Sequence, residues 1–112
     1  ISSYSRAQAI EDGVLVDVTE TAQEAGIKYP VALTRAVFEK CVALPEKYRG
    51  LEDEAGRLWD VLSMYRFAAH RTSGDTLLYQ LIVSRKTVTL KAVVGPGDTP
   101  EPVVTLMLPG ED

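Results

Sequence analysis

The sequence predicts one α+β domain over residues 1–112. About three helices pack on one face of a mainly antiparallel sheet of three to four strands, which closes in a C-terminal β-meander. Three observations predict this. Leu77–Leu108 reads as successive strands, with Val88, Leu90, Ala92 and Val94 alternating against Thr87, Thr89, Lys91 and Val93. Glu54–His70 carries apolar residues at three- and four-residue steps. The chain has 112 residues, 46% hydrophobic and 25% charged, which suffices for one core and excludes disorder of its body.

Taken in order, Ser5-Arg6-Ala7-Gln8 has the form of a capping box, with Tyr4 placed as a hydrophobic staple. A short helix, Arg6–Glu11, follows and stops at Gly13. Val14–Val18 is β-branched and reads as a strand that joins a sheet edge. Thr19 is the N-cap of a helical turn or two, Glu20–Ala25, ended by Gly26. Pro30 suits the first turn of a helix, and Leu33, Val37, Cys41 and Leu44 lie at helical spacing behind it. The reading is a helix over Val31–Leu44, ended by Pro45. Pro45–Gly56 is polar, turn-rich and the expected mobile loop. Glu52, Asp53 and Glu54 place negative charge at the next helix start. In that helix Leu58, Val61, Leu62, Tyr65, Ala68 and Ala69 form the apolar stripe. Leu77–Val83 is apolar on both faces, the pattern of a central or doubly covered strand. Arg85-Lys86 is the tight turn into Thr87–Val94. A proline- and glycine-rich connection, Gly95–Pro102, leads to Val103–Leu108, with Val104, Leu106 and Leu108 facing the core and Val103, Thr105 and Met107 outward.

The charge balance bounds function. Twelve basic against sixteen acidic residues give −4, and no basic patch stands out. Phosphate neutralisation needs such a patch, so direct nucleic-acid binding is not expected. The single cysteine, Cys41, excludes an internal disulfide and fits the reducing cytosol. No apolar run reaches the ~20 residues of a bilayer span. No signal peptide is visible in the residues given, whose first is Ile1 rather than Met.

Motifs for chemistry are sparse. His70 is the only histidine, so a nucleophilic triad or His-based metal site must use it. Its place at a helix end fits a dipole or solvent role. Cys41 lies on an apolar stripe, where a buried, inert thiol belongs. One Cys and one His cannot make a Cys/His zinc site, and no calcium-loop spacing occurs. Gly95-Pro96-Gly97-Asp98 lacks the Lys-Ser/Thr of a phosphate loop and precedes a strand. No cofactor or metal is therefore expected. Core packing is the ordinary use of Trp59 and Phe67, with Tyr29 and Tyr48 as further aromatic candidates. Exposed together, Trp59 and Phe67 mark a partner or dimer surface. Thr89, Lys91, Thr105 and the Gly95–Pro102 loop have no structural duty legible in the sequence.

Segments Ser5–Val18, Tyr29–Thr34, Gly56–Leu62, Leu90–Asp98 and Pro102–Asp112 resemble those of a family of uncharacterised small bacterial proteins, a domain of unknown function carried on plasmids and other mobile elements. The resemblance spans nearly the whole chain. It implies a bacterial, mobile-element setting and carries over no activity and no catalytic residue.

The leading expectation is a cytoplasmic, non-enzymatic protein-interaction or modulator module, binding a protein partner or itself, with Trp59, Phe67, His70, Lys91 and Asp98 as the candidate interaction surface. One alternative is a small enzyme using His70 with a carboxylate such as Asp60 or Asp98. Another is an inhibitor of host defence, an anti-restriction or anti-CRISPR protein, from the mobile-element setting and the acidic balance.

Overall fold

The computed structural model describes residues 4–44 and 53–111. Residues 45–52, which hold Pro45, Tyr48, Glu52 and most of the expected loop, lie outside the described residues. The elements in chain order are α1 (Arg6–Glu11), β1 (Leu15–Asp17), α2 (Thr19–Glu24), β2 (Val31–Thr34), α3 (Arg35–Val37) with a π-helical stretch (Phe38–Val42), α4 (Glu54–Ala69), β3 (Thr76–Val83), β4 (Lys86–Pro96) and β5 (Pro102–Met107). The class is α+β, but the sheet has five strands in the order β1-β2-β5-β4-β3. It is mixed, because β2 and β5 run parallel while the other pairs are antiparallel. Among the described residues, the expectation of about three helices and a mainly antiparallel sheet of three to four strands is corrected to four helices and five strands with one parallel pairing.

The first two helices end by the same local chemistry. The N–H of Val14 donates to the carbonyl of Ala9 and that of Gly13 to Ile10; after α2, Ile27 donates to Ala22 and Gly26 to Gln23. Both are Schellman closures, which require a residue at positive φ. Gly13 and Gly26 supply it, at φ +80° and +89°. Thr19 is the first residue of α2 rather than its cap; Asp17 accepts from both its N–H and its hydroxyl.

The helix expected over Val31–Leu44 is half strand. Val31, Ala32 and Leu33 are all buried, which demands cover on both faces. They gain it as an interior strand between β1 and β5. Helix begins only at Arg35, where the Thr34 hydroxyl accepts from the N–H of Val37. It then widens, and Ala43 donates five residues back to Phe38. α4 meets the end of this segment: Glu54 accepts from the N–H of Leu44, and Arg57 donates to the carbonyl of Ala43.

The main core lies on one face of the sheet. Val61, Leu62 and Tyr65 of α4, Val37, Cys41 and Val42 before it, and Ala22 of α2 pack on Leu33, Leu90, Leu106 and their neighbours. Not every helix shares that face. Thr105 and Met107 point to the opposite one by alternation, and Arg6 of α1 donates to the Thr105 hydroxyl at 2.7 Å and to the Val104 carbonyl at 2.9 Å. α1 therefore covers the outer face over one half of the sheet. Met107, expected outward and wet, is outward but buried there.

Candidate functional site

Among the described residues nothing covers the other half of the outer face, and that bareness centres on β3. The β3–β4 hairpin turns at Ser84-Arg85, one residue earlier than the sequence reading, with Lys86 already paired to Val83. Ser84 and Arg85 both have positive φ, 50° and 69°. That is a type I′ turn, whose twist matches the flanking strands. It fixes the register so that Leu77, Tyr79, Leu81 and Val83 face the core and Leu78, Gln80 and Ile82 face out.

β3 was expected to be central or doubly covered, and that is corrected. Among the described residues it is an edge strand, paired to β4 alone. Leu78 and Ile82 are 61% and 70% exposed. The hydrogen-bond parity follows from one contact. The N–H of Val94 donates to the carbonyl of Asp75, its partner in the same register. In an antiparallel ladder, bonded and non-bonded pairs alternate. Leu77, Tyr79, Leu81 and Val83 therefore bond to β4, while Thr76, Leu78, Gln80 and Ile82 turn their N–H and C=O toward the free edge.

α4 forms the second wall. Its residues Asp60, Met64 and Phe67, followed by Arg71, recur at four- and three-residue steps, one stripe of a helix. Together with β3 they line two adjoining clefts of about 490 and 380 Å³ that share Met64 and Gln80. The result is one groove along the β3 edge, uncharged in its middle, where Met64 and Gln80 lie, with Asp60 toward Ile82 and Arg71 toward Leu78. The Arg71 guanidinium lies over the Phe67 ring, 5.3 Å from its centre, which holds both side chains at the groove wall.

Edge strands in soluble domains are ordinarily blunted by brevity, charge, proline or a bulge. The opposite edge obeys this: β1 has three residues and carries the exposed Asp17. β3 has eight residues, Thr76–Val83, with no charge, proline or glycine among them.

The five residues singled out from sequence do not form one surface. Phe67 lies in the groove and is 58% exposed; Trp59 is exposed on α4 two turns before it, outside the residues that line the groove. His70 is the C-cap of α4, exposed, and ten residues from Asp60, roughly 15 Å along a helix. Lys91 is half-buried and donates to the carbonyl of Glu111 at 2.7 Å. Asp98 accepts from the backbone N–H groups of Arg6 at 2.7 Å and Ala7 at 3.0 Å. These bonds, Ala7 first, hold its carboxyl below the usual range. The Gly95–Pro102 connection thus has a structural duty: it caps α1. Sequence reasoning missed Leu78 and Ile82 as site residues. Their signal was visible, as apolar residues on both faces of a strand with no helix assigned to the second.

A further opening of about 590 Å³ lies on the outer face near α1. Its charged groups are taken up internally: Asp12 by the Tyr4 hydroxyl, Arg35 by the carbonyl of Gly13, and Glu111 by Thr34 and the N–H of Leu108. Among the described residues no three of His, Cys, Asp and Glu converge as a metal site. No helix there is long and apolar enough to cross a membrane.

Fold and groove together define an α+β domain with a mixed five-stranded sheet and one long, uncharged, open edge. The chain belongs to a family of unknown function (DUF6573), whose model matches residues 1–112. No curated protein and no solved structure gives a significant match to it.

Proposed function

We propose that the chain is a non-enzymatic protein-interaction module that receives an extended strand in the groove between β3 and α4. One observation carries the reading: β3 leaves eight uncharged residues along an open edge, with Leu78 and Ile82 exposed beside Met64 and Phe67. Strand addition to such an edge draws affinity from main-chain hydrogen bonds and selectivity from the side chains that flank them. The partner is protein rather than nucleic acid, since the net charge is −4 and the groove offers one cation, Arg71, against one anion, Asp60. The setting we propose is the cytosol of a bacterium carrying the chain on a mobile element; the single cysteine supports the first part and the family resemblance the second.

Site-directed photocrosslinking tests this. Benzoylphenylalanine is placed at Phe67 or Ile82 and, as a control, at Glu20 on α2, and the full chain is irradiated in bacterial cells. Discrete protein adducts at positions 67 and 82 and none at 20 are expected. Absence of adducts at both groove positions overturns the reading.

A further inference from the structure

We propose that the strand received is β3 of a second copy of this chain, paired antiparallel about a two-fold axis at Gln80, so that two five-stranded sheets become one. This rests on the interaction-module reading of the same groove and names its occupant.

The backbone permits this register. Leu78, Gln80 and Ile82 turn their N–H and C=O groups to the free edge, as derived from the Val94–Asp75 bond. With Gln80 opposite Gln80 of the copy, Leu78 stands opposite Ile82 and Ile82 opposite Leu78. All three are bonded pairs, each exchanging two N–H···O bonds. A slip by one residue would set outward groups against groups already spent on β4.

The side chains match in the same register. On the outer face each exposed Leu78 covers an exposed Ile82 of the copy, an aliphatic cross-strand pair on either side of the central glutamines. On the inner face Tyr79 comes opposite Leu81. The apolar pattern of β3 therefore reads the same in both directions from Gln80, which a two-fold contact requires and an unrelated peptide does not.

The charges match as well. Asp60 lies at the Ile82 end of the groove and Arg71 at the Leu78 end. The two-fold brings the Ile82 end of one copy to the Leu78 end of the other, so each Asp60 meets an Arg71 across the axis and Met64 meets Met64 between them. Opposite charges at the two ends of an uncharged centre fix register and orientation. Pairing also removes an anomaly of the isolated chain. A strand apolar on both faces becomes interior, as such strands ordinarily are.

Sedimentation or light scattering of the full chain across micromolar to millimolar concentration reads the mass. A dimer is expected for wild type and a monomer for Ile82→Lys, whose folding is checked by circular dichroism because position 82 is solvent-exposed in the monomer. Asp60→Arg and Arg71→Asp each weaken dimerisation several-fold, and the double variant restores it. Register is read by disulfides under mild oxidation. Gln80→Cys alone gives a cross-linked dimer, since an opposed pair lies within disulfide reach. Leu78→Cys and Ile82→Cys each cross-link only when mixed with the other. A wild-type monomer at every concentration overturns the proposal, as does a dimer indifferent to Ile82→Lys or one cross-linked equally through all three positions. A monomer whose positions 67 and 82 photocrosslink to a different protein overturns self-pairing and leaves the interaction-module reading standing. A monomer with no adducts overturns both.

Discussion

Asp98 accepts from the backbone N–H of Arg6 at 2.7 Å across 92 positions of sequence. The same carboxylate takes the N–H of Ala7, Ser5 Oγ takes that of Gln8, and the Gln8 side-chain oxygen takes that of Ser5. The four N–H groups that a helix start leaves without internal partners are all met. α1 is six residues long, too short to hold itself by propensity. Its place on the outer face therefore depends on a loop from the far end of the chain.

Asp98→Ala should lower the melting temperature by a few degrees at neutral pH, the usual scale for a lost cap. The pH dependence has a definite sign. The folded carboxyl titrates below its unfolded value because its ionised form accepts from Ala7 and Arg6. Its contribution is complete above the unfolded pKa and disappears as pH falls through the folded one. Thermal unfolding of both proteins over a pH series should show the gap constant near neutrality and closing below about pH 4. A gap that widens toward acid contradicts this account of the cap.

The Tyr79 hydroxyl donates to the carbonyl of Val61 at 3.0 Å, inside the core between β3 and α4. The Tyr79 ring is also tilted against that of Tyr65, with centres 6.0 Å apart. Burial, the largest influence on it, raises the phenol well above its ordinary pKa, so the hydroxyl remains a donor at any pH the fold survives. Tyr79→Phe keeps the ring packing and removes only the bond. Val61 retains its carbonyl's place in the α4 ladder, so no orphan acceptor results. The expected loss is about 1 kcal/mol in urea denaturation, with the slope unchanged because no extra surface is exposed.

What was legible in the sequence was whatever local pattern determines. Ser5 and Gln8 form the capping box that their spacing announced. Val61, Leu62 and Tyr65 are the buried side of α4, and β4 alternates as read. Val31–Thr34 failed because an apolar run as short as Val31-Ala32-Leu33 fits helix and strand alike. Pro30 favoured the wrong choice. The decisive fact was a parallel pairing to β5 more than seventy residues away. Thr34 held a usable signal, a threonine three residues ahead of Val37 in cap position. Asp98 carried none, because its partners are remote and are backbone groups. For Leu78 and Ile82 the pattern was read correctly as demanding cover on both faces. Within the described residues of a single chain that cover is missing.

Cys41 is fully buried in the main core. Burial, the leading influence, raises its thiol pKa, against smaller opposing effects of Lys40 and Arg57. A thiol both inaccessible and poorly ionised is a weak nucleophile. In the folded protein Cys41 should react with a disulfide reagent only as fast as the core opens, and stoichiometrically once guanidinium has unfolded it. Rapid labelling under native conditions contradicts the placement of Cys41 between the helices and the sheet.

The hairpin that presents the open edge carries a cost of its own. Ser84 and Arg85 occupy left-handed backbone, at φ 50° and 69°, where a side chain crowds the following carbonyl. Type I′ turns favour asparagine and glycine at these places, yet neither residue is present. The Ser84 hydroxyl has a compensating contact with Arg57 at 2.8 Å. Arg85 is exposed, and its backbone strain is the larger target. Arg85→Gly removes that crowding but gives the unfolded chain more freedom, so the two effects partly cancel. A net gain of about 0.5–1 kcal/mol is expected in denaturant unfolding. Since Val83 and Lys86 keep their pairing, β3 should present the same edge, and the mass of the protein in solution should be the same for the variant and wild type. A loss of stability on this substitution would mean that Arg85 makes a contact worth more than the left-handed backbone costs.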